Sequence, residues 1–129
     1  MYVFGVVLAA PMEQAVTQVT AALQAEKLGI VSDVDVSAIL RNKLGADIGG
    51  YRILGACQPG LAKRVIDAQP AAGVLLPCNL VLRSLEGGNT AVDFMDPITV
   101  LAHAEHPEIA KVAEEARAML ERVRDRLSS

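Results

Sequence analysis

The sequence predicts an α+β two-layer sandwich. Three observations carry that reading: short β-branched apolar runs alternate with helix-period segments, prolines open the helical segments, and a Gly-rich turn joins two late apolar runs. The chain of 129 residues reads as one domain, 1–129, long enough to bury a core.

The first apolar run, MYVFGVVLAAP, holds the β-branched residues Val3, Val6 and Val7 and reads as a strand. It lacks the basic flank of a signal peptide and is too short to span a bilayer, so no membrane association is expected. Pro11 suits the first turn of a helix, where its missing N–H costs nothing. Met12, Val16, Val19 and Leu23 then mark one helical face, with Gly29 as the predicted stop. Residues 30–36, IVSDVDV, read as a second strand, and Ser37 is the expected cap of a short helix over 38–44, closed by Gly45. Gly49 and Gly50 punctuate a loop before a third strand, YRILGAC, at 51–57. Pro59 opens a helix that runs through Ile66 toward Gln69.

A long apolar strand is expected over 73–85, GVLLPCNLVLRSL, followed by the turn at 86–89 and the strand TAVDFM at 90–95. From Pro97 the chain reads as helical in two pieces, broken at His106-Pro107. The last piece, 107–129, places Ile109, Val112, Ala116, Met119, Val123 and Leu127 on one stripe. That stripe fits either its own sheet or a dimer interface. Two strand–helix–strand units and a closing hairpin point to a split-βαβ, ferredoxin-like sheet with helices on one face and an added C-terminal helix. In that arrangement the third and fourth strands run parallel, with another strand between them.

Composition narrows the function classes. Hydrophobic residues make up 52% of the chain but aromatics only 3%, so the core is aliphatic and a base-stacking platform is not expected. The net charge of −3 likewise argues against nucleic acid as a partner. A soluble, cytoplasmic protein with reduced thiols is expected.

The segments YRILGACQPGLAKRVI, GVLLPCNLVL and DFMDPITVL resemble the domain of unknown function 302 family of small prokaryotic proteins. The matching pieces are Asp35-Val36, Lys43-Leu44-Gly45, Tyr51 to Pro59 with Leu61-Ala62, Leu75 to Asn79, and Asp96-Pro97. They follow the family's order across residues 30 to 101. One position departs: the family has Asn between its first Cys and the Pro, where this chain has Gln58. The resemblance implies a compact α/β domain that forms a homodimer, and it implies no activity.

The two cysteines, Cys57 and Cys78, are the first candidates for chemistry. Cys57 stands just before a helix start, where free N–H groups and the helix dipole favour a thiolate, and where an anionic ligand also fits. Cys78 follows Pro77, and a proline in a strand implies an edge or a bulge that aims Cys78 or Asn79 into a pocket. Against both stands the plainer reading of two small core residues. With an intervening strand the thiols would lie about 9–10 Å apart, beyond the reach of a disulfide. Asp96 and Asp35 complete the candidate ligand-binding set, each with helix capping as its plainer role. His103 and His106 have no metal-site spacing with the thiols, and no cofactor is expected. Three readings follow: a homodimeric module that binds a small ligand, a thiol-dependent enzyme or redox protein using Cys57 with Cys78, and a metal-binding protein.

Overall fold

The fold, a computed structural model, describes residues 1–128. Residue 129, the end of the expected C-terminal helix, lies outside the described residues. In chain order the elements are β1 (Val3–Leu8), α1 (Met12–Ala25), β2 (Gly29–Asp35), α2 (Val36–Leu44), β3 (Tyr51–Cys57) and α3 (Pro59–Ala68). A 3-10 segment at Pro70–Leu75 leads into β4 (Cys78–Ser84), β5 (Thr90–Met95), α4 (Pro97–Leu101) and α5 (Pro107–Ser128). The predicted α+β sandwich and its C-terminal helix stand. Local detail differs at three places. α1 ends at Ala25, and Lys27, at φ 62°, makes the turn expected of Gly29. Asp35 rather than Ser37 caps α2, and Ser37 donates to it at 2.6 Å. The long strand expected from residue 73 begins only at Cys78.

The sheet has the order β1-β5-β4-β3-β2, with every neighbouring pair antiparallel. This corrects the expected strand neighbours: β3 and β4 are adjacent and antiparallel, with nothing between them. The cause lies in the connection. α3 does not cross the sheet; Val65 and Ala72 bury with Leu101, Ile109, Val112 and Ala113 in a small separate core, so α3 folds back on the 3-10 segment. The chain therefore re-enters the sheet at the end it left, and Cys78 pairs with Ala56.

Registers separate the two faces of the sheet. Phe4, Val6 and Leu8 of β1, Val92 and Phe94 of β5, Leu80 and Leu82 of β4, and Leu54 and Ala56 of β3 join the main core. Ala15, Val19, Ala22 and Leu23 of α1 and Leu120 and Val123 of α5 close it. Phe4 and Phe94 stack at 5.2 Å, and the Arg117 guanidinium sits 3.9 Å over Phe4. Thr90, the one buried polar side chain among the described residues, donates to the Ala10 carbonyl at 2.8 Å. The other face carries Val3, Gly5 and Val7, then Asp93 and Met95, then Asn79, Val81 and Arg83, then Ile53 and Gly55.

The buried stripe of α5 runs through both cores, so its residues are the ones most sensitive to truncation. Leu120→Ala should lower stability in urea unfolding by about 2–5 kcal/mol. Ile39→Ala, on the exposed face of α2, should change it by less than about 0.5 kcal/mol.

Candidate functional site

Cys57 is the last residue of β3 and Cys78 the first of β4, so both thiols sit at one end of the sheet. Ala56 and Cys78 face each other across the ladder, which leaves Cys57 one residue beyond the pair. Side chains alternate along a strand, so Cys78 lies on the helix face while Cys57 lies on the opposite pleat. Packing agrees: Cys78 joins the main core, and Cys57 belongs to neither cluster. Both cysteines are free. The thiols are therefore closer than expected, on adjacent strands, and it is the pleat rather than an intervening strand that opposes a disulfide.

Both border a partly enclosed cavity of about 30 Å³ at the seam between the two cores. Ala56 and Cys78 contribute from the sheet end, Gln58, Leu61 and Val65 from α3, and Val112 and Ala116 from α5. Leu76 and Pro77, joined by a cis peptide bond, close it from the approach to β4. Among the described residues no charged side chain lines it. The space holds about one or two water molecules as it stands.

Burial pushes the Cys78 thiol up to about 11, with Cys57 adding to the shift. Cys78 is thus protonated at neutral pH, the reverse of an activated nucleophile. At the mouth of α3, Gln58 caps the helix: its side-chain oxygen accepts from the Leu61 N–H at 2.8 Å, and Pro59 follows at the first helical position. Gln58, a long amide, therefore performs the capping task for which Asn is the more usual residue. The same bond occupies one donor that an anion would use. The cations of α3 are also engaged, Lys63 with Asp67 at 2.5 Å and Arg64 with Glu108 and Glu115 at 2.8 and 2.6 Å.

The remaining predicted residues lie apart from the cavity. Asn79 is exposed on the far face opposite Gly55, where a Cβ would overlap the Ser32 hydroxyl and the Pro77 ring. Asp96 caps α4 by accepting from the Ile98 N–H at 2.9 Å and pairs with Arg117 at 2.7 Å. Asp35 caps α2 at the other end of the sheet, accepting from the Ala38 N–H at 3.0 Å, and the Ser37 hydroxyl lowers its pKa. His106 accepts from the Glu108 N–H through Nδ1 at 3.1 Å, at the start of α5. Among the described residues no three His, Cys, Asp or Glu side chains converge on a metal position. Sequence reasoning missed the cavity walls from α3, α4 and α5. Their signals were the helical stripe containing Val112 and Ala116 and, in α3, the matched pair Leu61-Ala62.

Three outcomes follow from this geometry. Iodoacetamide at pH 8 should leave Cys78 unmodified in the folded protein, by peptide mass mapping, and modify it after unfolding in urea. Because the folded thiol binds its proton more tightly than the ordinary 9.0, stability should be unaffected below pH 9 and fall as pH rises toward 11, by about 2–3 kcal/mol. Gln58→Ala should cost about 1 kcal/mol in the same unfolding assay, and Gln58→Asn should restore most of it.

Comparison with known proteins adds a family and a fold relative. The model of a domain of unknown function, DUF302, matches residues 4–127. A crystal structure of an uncharacterized conserved DUF302 protein from Bacillus stearothermophilus superposes with a TM-score of 0.88 and 26% identity, covering 98% of each chain. No curated protein matches the chain. Similarity thus runs well beyond the segments first matched by motif, through β1 at one end and α5 at the other. The chain belongs to the DUF302 family.

Proposed function

We propose that the protein is a homodimeric module that binds a small, uncharged, apolar ligand at the cavity bordered by Cys57 and Cys78. The observation that carries this reading is the lining: apolar walls from both cores with Cys57, Cys78 and Gln58, and no charged residue among the described residues. Such a lining rewards apolar burial and penalises an unpaired charge. Ligand pockets generally measure several hundred cubic ångströms, so a ligand enters by displacing a wall. α3 is that wall, because only its Val65 is fully buried whereas α5 buries six residues. The homodimer rests on the uncovered sheet face and on exposed Val7 and Val34, at 58% and 41%.

The thiol-enzyme reading has less support, since Cys78 holds its proton and the two thiols lie on opposite pleats. The metal reading lacks a converging ligand set among the described residues.

Thermal-shift measurements with indole, short alkyl alcohols and matched carboxylates test the proposal. Stabilisation by the uncharged compounds and not by the carboxylates is expected, and Ala116→Leu, which fills the cavity, should abolish it. Equal stabilisation by the carboxylates, or none by any uncharged compound, would overturn the reading.

A further inference from the structure

We propose that the outer edge of β1 pairs antiparallel with β1 of a second copy, about a two-fold axis at Gly5, to make one continuous ten-stranded sheet. The inference rests on the homodimer reading above and names its surface. β1 and β2 are the two edges of the sheet, and they differ sharply. β2 carries Asp33 and Asp35 and is interrupted by a register shift between Ile30 and Ser32. Charges and bulges of this kind keep an edge from pairing. β1, VFGVVL, has no charge, no proline and no register shift over its six pairs with β5. Val7 is 58% exposed on it and Tyr2, just before it, 68%.

Backbone geometry fixes which groups face outward. The Asp96 N–H donates to the Tyr2 carbonyl at 2.8 Å, which makes that pair a hydrogen-bonded one in the β1–β5 ladder. Hydrogen-bonded pairs alternate in an antiparallel ladder, so Phe4, Val6 and Leu8 turn their N–H and C=O groups toward β5. On the other side of β5, the Leu85 N–H donates to the Asn89 carbonyl at 2.8 Å, which turns Ala91 and Asp93 toward β4 and leaves Thr90, Val92 and Phe94 for β1. The two bonds give the same phase. Val3, Gly5 and Val7 therefore present their N–H and C=O groups away from the sheet.

These three positions read Val-Gly-Val and are symmetric about Gly5. A second β1 running antiparallel in the register Val3 to Val7, Gly5 to Gly5 and Val7 to Val3 satisfies every outward group at once. It also sets valine against valine on the uncovered face, a favourable cross-strand pair, and opposes no like charges. The partner that fits this edge is another copy of the chain.

The register is tested with cysteine variants mixed under oxidised glutathione, which takes up the hydrogens of the two thiols as the intersubunit disulfide forms. Val3→Cys mixed with Val7→Cys should give a disulfide-linked dimer on a non-reducing gel, while either variant alone and the parent chain should not. In parallel, Val7→Pro removes an outward donor without touching the β5 ladder and should weaken the dimer about 10–100-fold in sedimentation equilibrium. A parent dimer that gives no cross-link in the mixture overturns the β1 edge and leaves the homodimer reading standing. A parent chain that sediments as a monomer at all concentrations overturns both. Should Val7→Pro fail to fold, the mixed cross-link alone decides.

Discussion

The buried stripe of α5 is the interaction on which the rest of the molecule depends. Its first half, Ile109, Val112 and Ala113, belongs to the small core with Val65, Ala72 and Leu101. Its second half, Leu120 and Val123, belongs to the main core over the sheet. One continuous helix therefore fuses two clusters that no strand connects. Ion pairs decorate this arrangement: Arg64 reaches α5 from α3, Glu26 meets Arg122 at the end of α1, and Arg117 meets Asp96 at the cap of α4. The Arg64 pairs are half-exposed and contribute little beside apolar burial, whereas Asp96 and Glu26 are held closer to the protein interior. Arg117 is the fullest example, since it also covers the Phe4 ring and pairs with Glu121.

The site is a consequence of that fusion. Where two cores are joined by one helix, their side chains do not interdigitate completely at the seam, and the cavity lies there. Cys78 enters it from the main core and Leu101 from the small one. The thiols differ because the pleat places them differently, although their local sequences look alike. Cys78 faces the helices and loses its tendency to ionise, while Cys57 terminates β3 on the other pleat. The carboxamides that follow them also diverge: Gln58 caps a helix and Asn79 faces outward across from Gly55.

Local structure was legible where local chemistry decides it. β3 at 51–57 and β5 at 90–95 match to the residue, since Gly-Gly or a turn opens each and a helix-starting proline follows. The α5 stripe was legible from its period, with Ala113 and Leu120 completing the buried set. β4 was read too long because the apolar run at 73–76 has no periodic pattern to distinguish a strand from a packed 3-10 turn. The strand order was not legible for a related reason. Whether α3 crosses the sheet or folds back depends on Val65 and Ala72 finding α5, a contact far away in sequence. Both aspartates carried the capping signal openly, and both serve as helix caps away from the cavity.

The fold-back of α3 also bears on the specificity that the proposed binding reading implies. A helix crossing the sheet would be locked along its length by the sheet's apolar face. Folded back, α3 is held by Val65 and by partly buried Leu61 and Ala68, with polar contacts from Arg64 on its outer side. Its capped first turn stays anchored to β3 through Gln58. The compliant part is thus the helix body, hinged near the thiols and resting on the small core. Segments with few buried apolar contacts open at lower free energy than the global fold. Under the proposed reading, ligand choice would be set by how much apolar surface compensates for lifting α3 off the small core, with shape and burial as the discriminating terms.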